Sequence, residues 1–286
     1  MKIGVAGPLT GPRSAYGEML RRIAKARQPQ GVEIMWGDDQ ADPETAVTVA
    51  RSFVGKAVSV VIGHFNSECA RAVAPWYLQH EIPLLLPAST APDICAEYGP
   101  FRLCAAEPAQ IQSMSNWFHA AGFKAGSIWH DESLYGRRLA KAAKQAMPIC
   151  VDHVNTESHA AMPVFLFGSH YRVAEKILLL CDNNFLGPFI VCDDCAIEEF
   201  DQLVATRPSC EILVARPNPS YEEAVEFGFD LIAQLMPGRR VTDQIYLSGC
   251  FVGGERTDAG FKLTQVTMGA SSLKHYMPDT QRGWPG

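Results

Sequence analysis

Two apolar stretches, Val58 to Ile62 and Pro83 to Leu86, run into turns of small and hydroxyl-bearing residues. The turns are Gly63-His64-Phe65-Asn66-Ser67 and Pro87-Ala88-Ser89-Thr90-Ala91-Pro92. Each precedes a segment of helical periodicity. The hydroxyls of Ser67, Ser89 and Thr90 therefore converge with backbone N–H groups at the carboxyl edge of a parallel sheet, a setting suited to an anion. Hydroxyls in front of helices also serve as N-caps, and one residue can do both. No nucleophile paired with a base stands beside these turns, so the pattern favours capture of a small molecule over its transformation.

Other candidate groups point the same way. Cys192-Asp193-Asp194-Cys195 has the C-x-x-C spacing of redox and zinc sites. Thiol redox chemistry wants a depressed cysteine pKa, which two adjacent carboxylates oppose. Zinc needs two further ligands at suitable spacing, and only isolated residues such as Cys181 are on offer. His130-Asp131 at a strand end has the makings of a general base, yet a serine or cysteine nucleophile in matching context is missing, and loop capping is the expectation. Gly7 to Gly11 lacks the Gly-Lys-Ser/Thr ending of a phosphate loop, and no G-x-G-x-x-G or G-x-S-x-G occurs. No catalytic residue, metal or cofactor is expected.

These residues need a scaffold, and the chain is long enough for two lobes: 286 residues exceed what one hydrophobic core usually organises. Apolar residues make up 47% and charged ones 20%, with a formal net charge of -6. A mildly acidic balance without a Lys/Arg run argues against nucleic acid and anionic membrane surfaces. No stretch approaches the roughly 18 consecutive apolar residues of a spanning helix. Met1 leads directly into strand-like Lys2 to Ala6, so a signal peptide is expected to have been removed or never to have existed. The nine cysteines are an odd number scattered through apolar segments (Cys104, Cys150, Cys181, Cys192, Cys250), which favours buried free thiols over a disulfide framework.

Strand-length apolar runs alternate with helical patterns along the whole chain, the signature of a parallel α/β sheet. Strands are expected at Lys2 to Ala6, Val32 to Trp36, Val58 to Ile62 and Pro83 to Leu86. Helices are expected near Ala15 to Ala26, after the Asp42 cap with Pro43 at the first helical position, and over Cys69 to His80. From Pro108 the pattern restarts. Helix Ala109 to Ala121, strand Lys124 to Trp129, helix Leu134 to Ala146 and strand Ile149 to Val154 follow. Then come strand Val164 to Phe167, helix Val173 to Cys181, strand Phe189 to Cys192, helix Ile197 to Val204 and strand Ile212 to Ala215. Helix Tyr221 to Met236 begins after Pro217-Asn218-Pro219, and strand Phe261 to Met268 comes late. About nine residues, Asn155 to Pro163, join two strands where a parallel crossover needs a dozen or more, so those strands are not parallel neighbours or a covering helix is missing.

Taken in order, several segments resemble the type I periplasmic binding proteins of ABC importers, and among them the leucine/isoleucine/valine-binding group. They are Ile3 to Pro12 with Tyr16-Gly17, Asp38-Asp39 through Asp42-Pro43, Val61 to His64 with Ser67, and Pro87 to Pro92. In the second half they are His130-Asp131 with Tyr135-Gly136, Gly168 to Tyr171, and Asp258 to Phe261. The resemblance implies an α/β protein of two Rossmann-like lobes with parallel sheets, joined by a hinge and closing on a ligand. Residues 1–107 with 219–258 would form the first lobe, 108–218 with 259–276 the second, and 277–286 a tail.

The resemblance also assigns roles. Ser67, Ser89 and Thr90 would grip an α-carboxylate, while Tyr16 with Asp193 or Asp194 would hold the ammonium. Tyr135, with His170 or Tyr171, would line the cleft from the second lobe. The implied partners are an amino acid-like small molecule and an ABC transporter permease, with no nucleic acid and no embedding in a membrane. The implied location is periplasmic or extracytoplasmic; a cytosolic ligand-sensing regulator on the same scaffold is the alternative. Three departures stand out. The cysteine pair of some members appears as Ala41 and Asn66, the chain is short for the family, and Glu68 would repel an anion if it pointed inward.

Overall fold

The protein is described here by a computed structural model covering residues 1–147, 150–151, 162–185, 187–205, 211–252 and 254–266. The chain runs through β1 (Lys2–Gly7), α1 (Ser14–Arg27), β2 (Glu33–Asp38), α2 (Pro43–Gly55), β3 (Val61–Ile62), α3 (Ser67–Gln79), β4 (Leu84–Leu86), α4 (Asp93–Tyr98) and β5 (Phe101–Arg102). It continues through α5 (Glu107–Ala120), β6 (Gly126–His130), α6 (Leu134–Ala146), β7 (Cys150–Val151), β8 (Val164–Phe167), α7 (His170–Asp182) and β9 (Phe189–Val191). A 3-10 turn (Asp193–Cys195), α8 (Glu198–Val204) and β10 (Ile212–Asn218) follow. The last described elements are α9 (Tyr221–Ala233), α10 (Val241–Leu247), β11 (Phe251–Val252), β12 (Glu255–Arg256) and β13 (Gly260–Gln265). The architecture is α/β with two mostly parallel sheets, in two compact units. One comprises Met1–Gln110 with Pro217–Lys262, the other Ile111–Arg216 with Leu263–Gly286.

The first unit holds a seven-stranded sheet in the order β11-β12-β5-β4-β3-β1-β2. Its central strands are buried on both faces, as parallel strands under covering helices must be. Register decides what the sheet presents at its edge. Val5 pairs with Ile62, Ile62 with Leu85, and Leu86 with Arg102, so β3 and β4 end within about one residue of each other, β1 runs slightly past them, and the turns after β3 and β4 lie side by side. Gly63 is required where β3 gives way to its turn. Its φ of 128° lies in the region that favours glycine, and a Cβ there would stand 2.1 Å from the Ala6 carbonyl oxygen.

Local chemistry sets the helices. Asp42 accepts hydrogen bonds from Thr45 N (2.7 Å) and Thr45 Oγ1 (2.8 Å), with Pro43 at the first helical position, and α2 buries Ala46, Ala50 and Phe53 along one stripe. Ser220 and Glu223 form a reciprocal capping box at the start of α9. That helix stops at Ala233, short of the expected Met236, where the Gln244 side chain takes the Met236 N–H (2.6 Å).

The second unit carries a six-stranded sheet in the order β13-β10-β9-β8-β6-β7. The short link after β7 is thereby explained: β7 and β8 each pair in parallel with β6, on opposite sides of it, and are not neighbours. The expected strand from Ile149 to Val154 is seen at Cys150–Val151, and its remainder lies outside the described residues, as does the expected tail. The strand expected from Val58 narrows to Val61–Ile62. Its bonding to β1 nevertheless begins earlier, through Ser59 N to Lys2 O (2.8 Å) and Gly4 N to Val60 O (2.9 Å). The cysteines expected to be free are so at Cys69, Cys95, Cys104, Cys181, Cys192, Cys195 and Cys250, although Cys181 and Cys250 are half-buried and not core. Among the described residues no helix is long and apolar enough to cross a membrane.

Candidate functional site

In the first unit, the turns after β3 and β4 are stitched to each other. Ser89, fully buried, donates its single hydroxyl proton toward the carbonyls of His64 (2.8 Å) and Phe65 (3.1 Å). Thr90 directs its hydroxyl to Glu107 Oε1 (3.3 Å) while its carbonyl accepts from Glu107 N (2.9 Å). Ser67 behaves differently, because its oxygen accepts from Ala91 N (3.3 Å) and its proton is left to donate. Ser67 also opens α3, whose first-turn N–H groups have no intrahelical acceptor. Beside it, Asn66 Oδ1 is buried without a hydrogen-bond partner among the described residues. Of the three expected hydroxyls, two therefore hold the turns together and one keeps a donor to offer.

Beneath the β3 turn lies a buried polar strut that sequence reasoning missed. His64 Nδ1 sits 2.7 Å from Asp39 Oδ2, and His64 Nε2 lies 3.3 Å from the Tyr77 hydroxyl. Burial, and after it the charge of Asp39, pushes the Tyr77 hydroxyl up, so Tyr77 keeps its proton beside Nε2. The other oxygen of Asp39 takes Ala41 N (3.0 Å). Glu68 raises no unpaired charge against an anion: Arg71 pairs with it at 2.6 Å and takes both oxygens of Asp93 in a fork. Tyr16 is buried within the unit, its ring 5.8 Å from that of Phe65 and 6.5 Å from that of Tyr221, with the Arg13 guanidinium 5.3 Å from its centroid.

The second unit repeats the strand–glycine–histidine theme. After β8, Gly168 (φ 153°) passes so close to Asp131 that a Cβ would lie 2.3 Å from its carboxyl carbon. His170 then opens α7. Asp194 Oδ2 accepts from His170 N (2.8 Å) and stands 3.2 Å from its Nδ1, and His170 Nε2 lies 3.2 Å from Glu199 Oε2. Tyr171 donates to the other oxygen of Glu199, and Tyr135 donates to Asp193 Oδ1. Burial pushes the Glu199 carboxyl up, but the bonds from His170 and Tyr171 outweigh it and hold the group below the usual glutamate range. Tyr135 and Asp193 are thus brought together, as are Tyr171, His170, Glu199 and Asp194. Glu199 was not anticipated; its signal was its place in the Glu198-Glu199 pair that opens α8 shortly after Asp193-Asp194.

The remaining motifs do structural work. Cys192 Sγ donates to the Gly168 carbonyl (3.2 Å), and burial pushes the Cys195 thiol far up, with Cys192 and the neighbouring acids adding to the effect. A thiolate is disfavoured there, which is the opposite of a redox site. Asp131 fastens its loop through Ser133 N (3.1 Å) and Ser169 N (2.8 Å), the capping role anticipated for this pair of residues. Among the described residues no group of three or more His, Cys, Asp or Glu side chains could hold a metal ion.

With this geometry in place, comparison with known proteins is informative. A family model described as periplasmic binding protein matches residues 1–159. The chain is 32% identical over 159 residues to Leu/Ile/Val-binding protein homolog 2 of Brucella abortus (51% of this chain, 43% of the relative). It is 30% identical over 161 residues to the leucine-, isoleucine-, valine-, threonine- and alanine-binding protein of Pseudomonas aeruginosa, with the same coverages. These matches span less than half the length of those relatives.

Among solved structures, the fold is similar to the branched-chain amino acid transporter substrate-binding protein LivJ of Streptococcus pneumoniae, solved in complex with isoleucine. The TM-score is 0.76 at 16% identity, covering 92% of this chain and 99% of that one. An ABC transporter substrate-binding protein from Desulfitobacterium hafniense gives 0.71 at 19% identity with the same coverages. The chain belongs to the periplasmic binding protein family, as a type I member of the leucine/isoleucine/valine-binding kind. Family and fold are those of solute-binding proteins and not of enzymes, and family members are periplasmic.

Proposed function

We propose that this protein is the substrate-binding component of an ABC-type importer, located outside the cytoplasm, that captures a small amino acid or a related amide or carboxylate. The observation that carries this reading is the convergence of the β3 and β4 turns at one sheet edge, beside the N-terminus of α3, with the Ser67 hydroxyl left to donate. In this reading Ser67 takes the ligand carboxylate directly, and Ser89 and Thr90 keep the receiving turn in shape. Asp193 and Asp194, with Tyr135, Tyr171 and His170 around them, match the ammonium, and Tyr16 packs beside the turn. The likeness to proteins named for leucine, isoleucine, valine, threonine and alanine supports the ligand class, and the family supports a permease as partner and no catalysis.

The test is a thermal-shift screen of the common amino acids, their amides and short-chain acids, followed by calorimetry on the best ligand. Saturable binding is expected, and a chain that binds none of them refutes the reading. The free thiols favour a second reading, a cytosolic sensor on the same scaffold. Ligand-dependent co-purification of a regulatory protein in place of a permease would single it out.

A further inference from the structure

We propose that Arg102 is the positioning residue of the anion turn: a buried guanidinium that holds the Ser89–Ala91 backbone from behind and supplies the positive charge against which a ligand carboxylate is bound. This deepens the function proposed above and rests on it.

Arg102 sits on β5 opposite Leu86, the last residue of β4, so its side chain starts level with the root of the turn. The side chain has no solvent exposure. It donates through Nη1 to the Ser89 carbonyl and through Nη2 to the Ala91 carbonyl at 2.7 Å, while Nε reaches Glu255 Oε2 at 2.8 Å. A trans peptide points its C=O and its N–H in opposite directions. Anchoring the Ser89 carbonyl on Arg102 therefore turns the Thr90 N–H to the far side of the turn, away from the cation. The next anchored carbonyl, that of Ala91, precedes Pro92, which has no N–H to aim. One guanidinium thus sets the direction of the Thr90 N–H, while the Ala91 N–H that follows is taken by Ser67 Oγ (3.3 Å).

The charge itself remains available. Its counter-ion, Glu255, is 40% exposed and pairs with one edge of the guanidinium only. The neighbouring Cys95 thiol is pushed up to about 12 by burial and does not ionise against it. A full positive charge held in an apolar layer with water excluded acts over several ångströms, so it favours an anion in front of the turn over a neutral group of the same shape.

The experiment compares wild type, Arg102→Lys, Arg102→Gln and Glu255→Gln, measuring binding of L-leucine, L-alanine and L-threonine and of their primary amides by calorimetry, with melting curves alongside. A structural role alone would weaken acid and amide together; the proposal concerns their ratio. Arg102→Gln is expected to lower amino acid affinity roughly 10- to 100-fold and amide affinity much less, with Arg102→Lys recovering part of the preference. Glu255→Gln keeps the guanidinium and its two carbonyl bonds, and is expected to raise the acid-to-amide ratio. It carries the test if the Arg102 variants do not fold. An unchanged ratio in every folded variant overturns the proposal while leaving the binding function intact. Wild-type protein that binds none of the six probes overturns this proposal, and the function falls with it only if the wider thermal-shift screen also finds no ligand.

Discussion

A hydroxyl has one proton, and where that proton goes separates residues that look alike in sequence. Ser67, Ser89 and Thr90 were all legible as donors before helices. Ser89 spends its proton on two carbonyls of the neighbouring turn, whereas Ser67 accepts from Ala91 N and keeps its own. Ser67→Ala should therefore weaken ligand binding by about 1–3 kcal/mol with little change in melting temperature. Ser89→Ala should chiefly lower stability, by about 1–2 kcal/mol, since it cuts the stitch between the turns. Calorimetry and urea denaturation on both variants separate the cases, and equal effects on binding would refute the distinction. Asn66 makes a further residue-level contrast. Its buried Oδ1 has no partner among the described residues, so Asn66→Ala should leave the unliganded protein as stable or slightly more stable while weakening ligands that carry an N–H donor. A clear loss of unliganded stability would show instead that Asn66 already serves the fold. Neither serine assignment was readable in advance, because each depends on a backbone partner 24 or 25 residues away, an acceptor for Ser89 and a donor for Ser67. Arg102 was less legible still, since it meets Glu255 across 153 positions of sequence.

At the level of elements, periodicity worked where segments were long and failed where they were short. α2 announces itself through Asp42, Pro43 and the Ala46, Ala50, Phe53 stripe, and α6 through a Ser133 cap that accepts from Gly136 N (3.0 Å). The elements α4, β5, β11 and β12 have two to six residues each, too few for any period to repeat, and they were not anticipated. They matter all the same. β5 brings Arg102 to the turn, and its parallel pairing with β12 sets Glu255 opposite it. The capping box of α9 was a missed signal of a readable kind, a serine followed three residues later by glutamate. Ser220→Ala should cost about 1 kcal/mol of stability by chemical denaturation, and the loss of a mutual bond means that Glu223→Ala added to it should cost less than the two single effects summed. Strict additivity would mean the two bonds of the box act independently.

For the molecule as a whole, the strength of individual carboxylates sets how it answers acid. Burial pushes Asp38 up, but hydrogen bonds from Thr10, Gln40 and Leu9 outweigh it and leave the group below its ordinary value of 3.8. Glu199 lies below its ordinary 4.5 through His170 and Tyr171. A carboxyl whose folded pKa is depressed contributes stability that is complete above its unfolded value and is lost as pH falls through the folded one. Asp201 has the opposite sign, since burial raises it in spite of the Arg216 fork at 3.0 Å, so acid first protonates it in the folded state and partly offsets the loss. The urea midpoint should therefore hold nearly level from neutral pH to about 4.5 and fall steeply below it. Asp38→Asn and Glu199→Gln should each flatten that fall while lowering the plateau, and Asp201→Asn should steepen the descent. Ligand enters the same balance by mass action: at 100 times its dissociation constant it should add about 2.7 kcal/mol. If Asp193 and Asp194 meet an ammonium, Asp193→Asn or Asp194→Asn should shrink that increment at the same amino acid concentration. An increment unchanged in both variants would place the ammonium elsewhere and would leave the acid response argued for the unliganded protein intact.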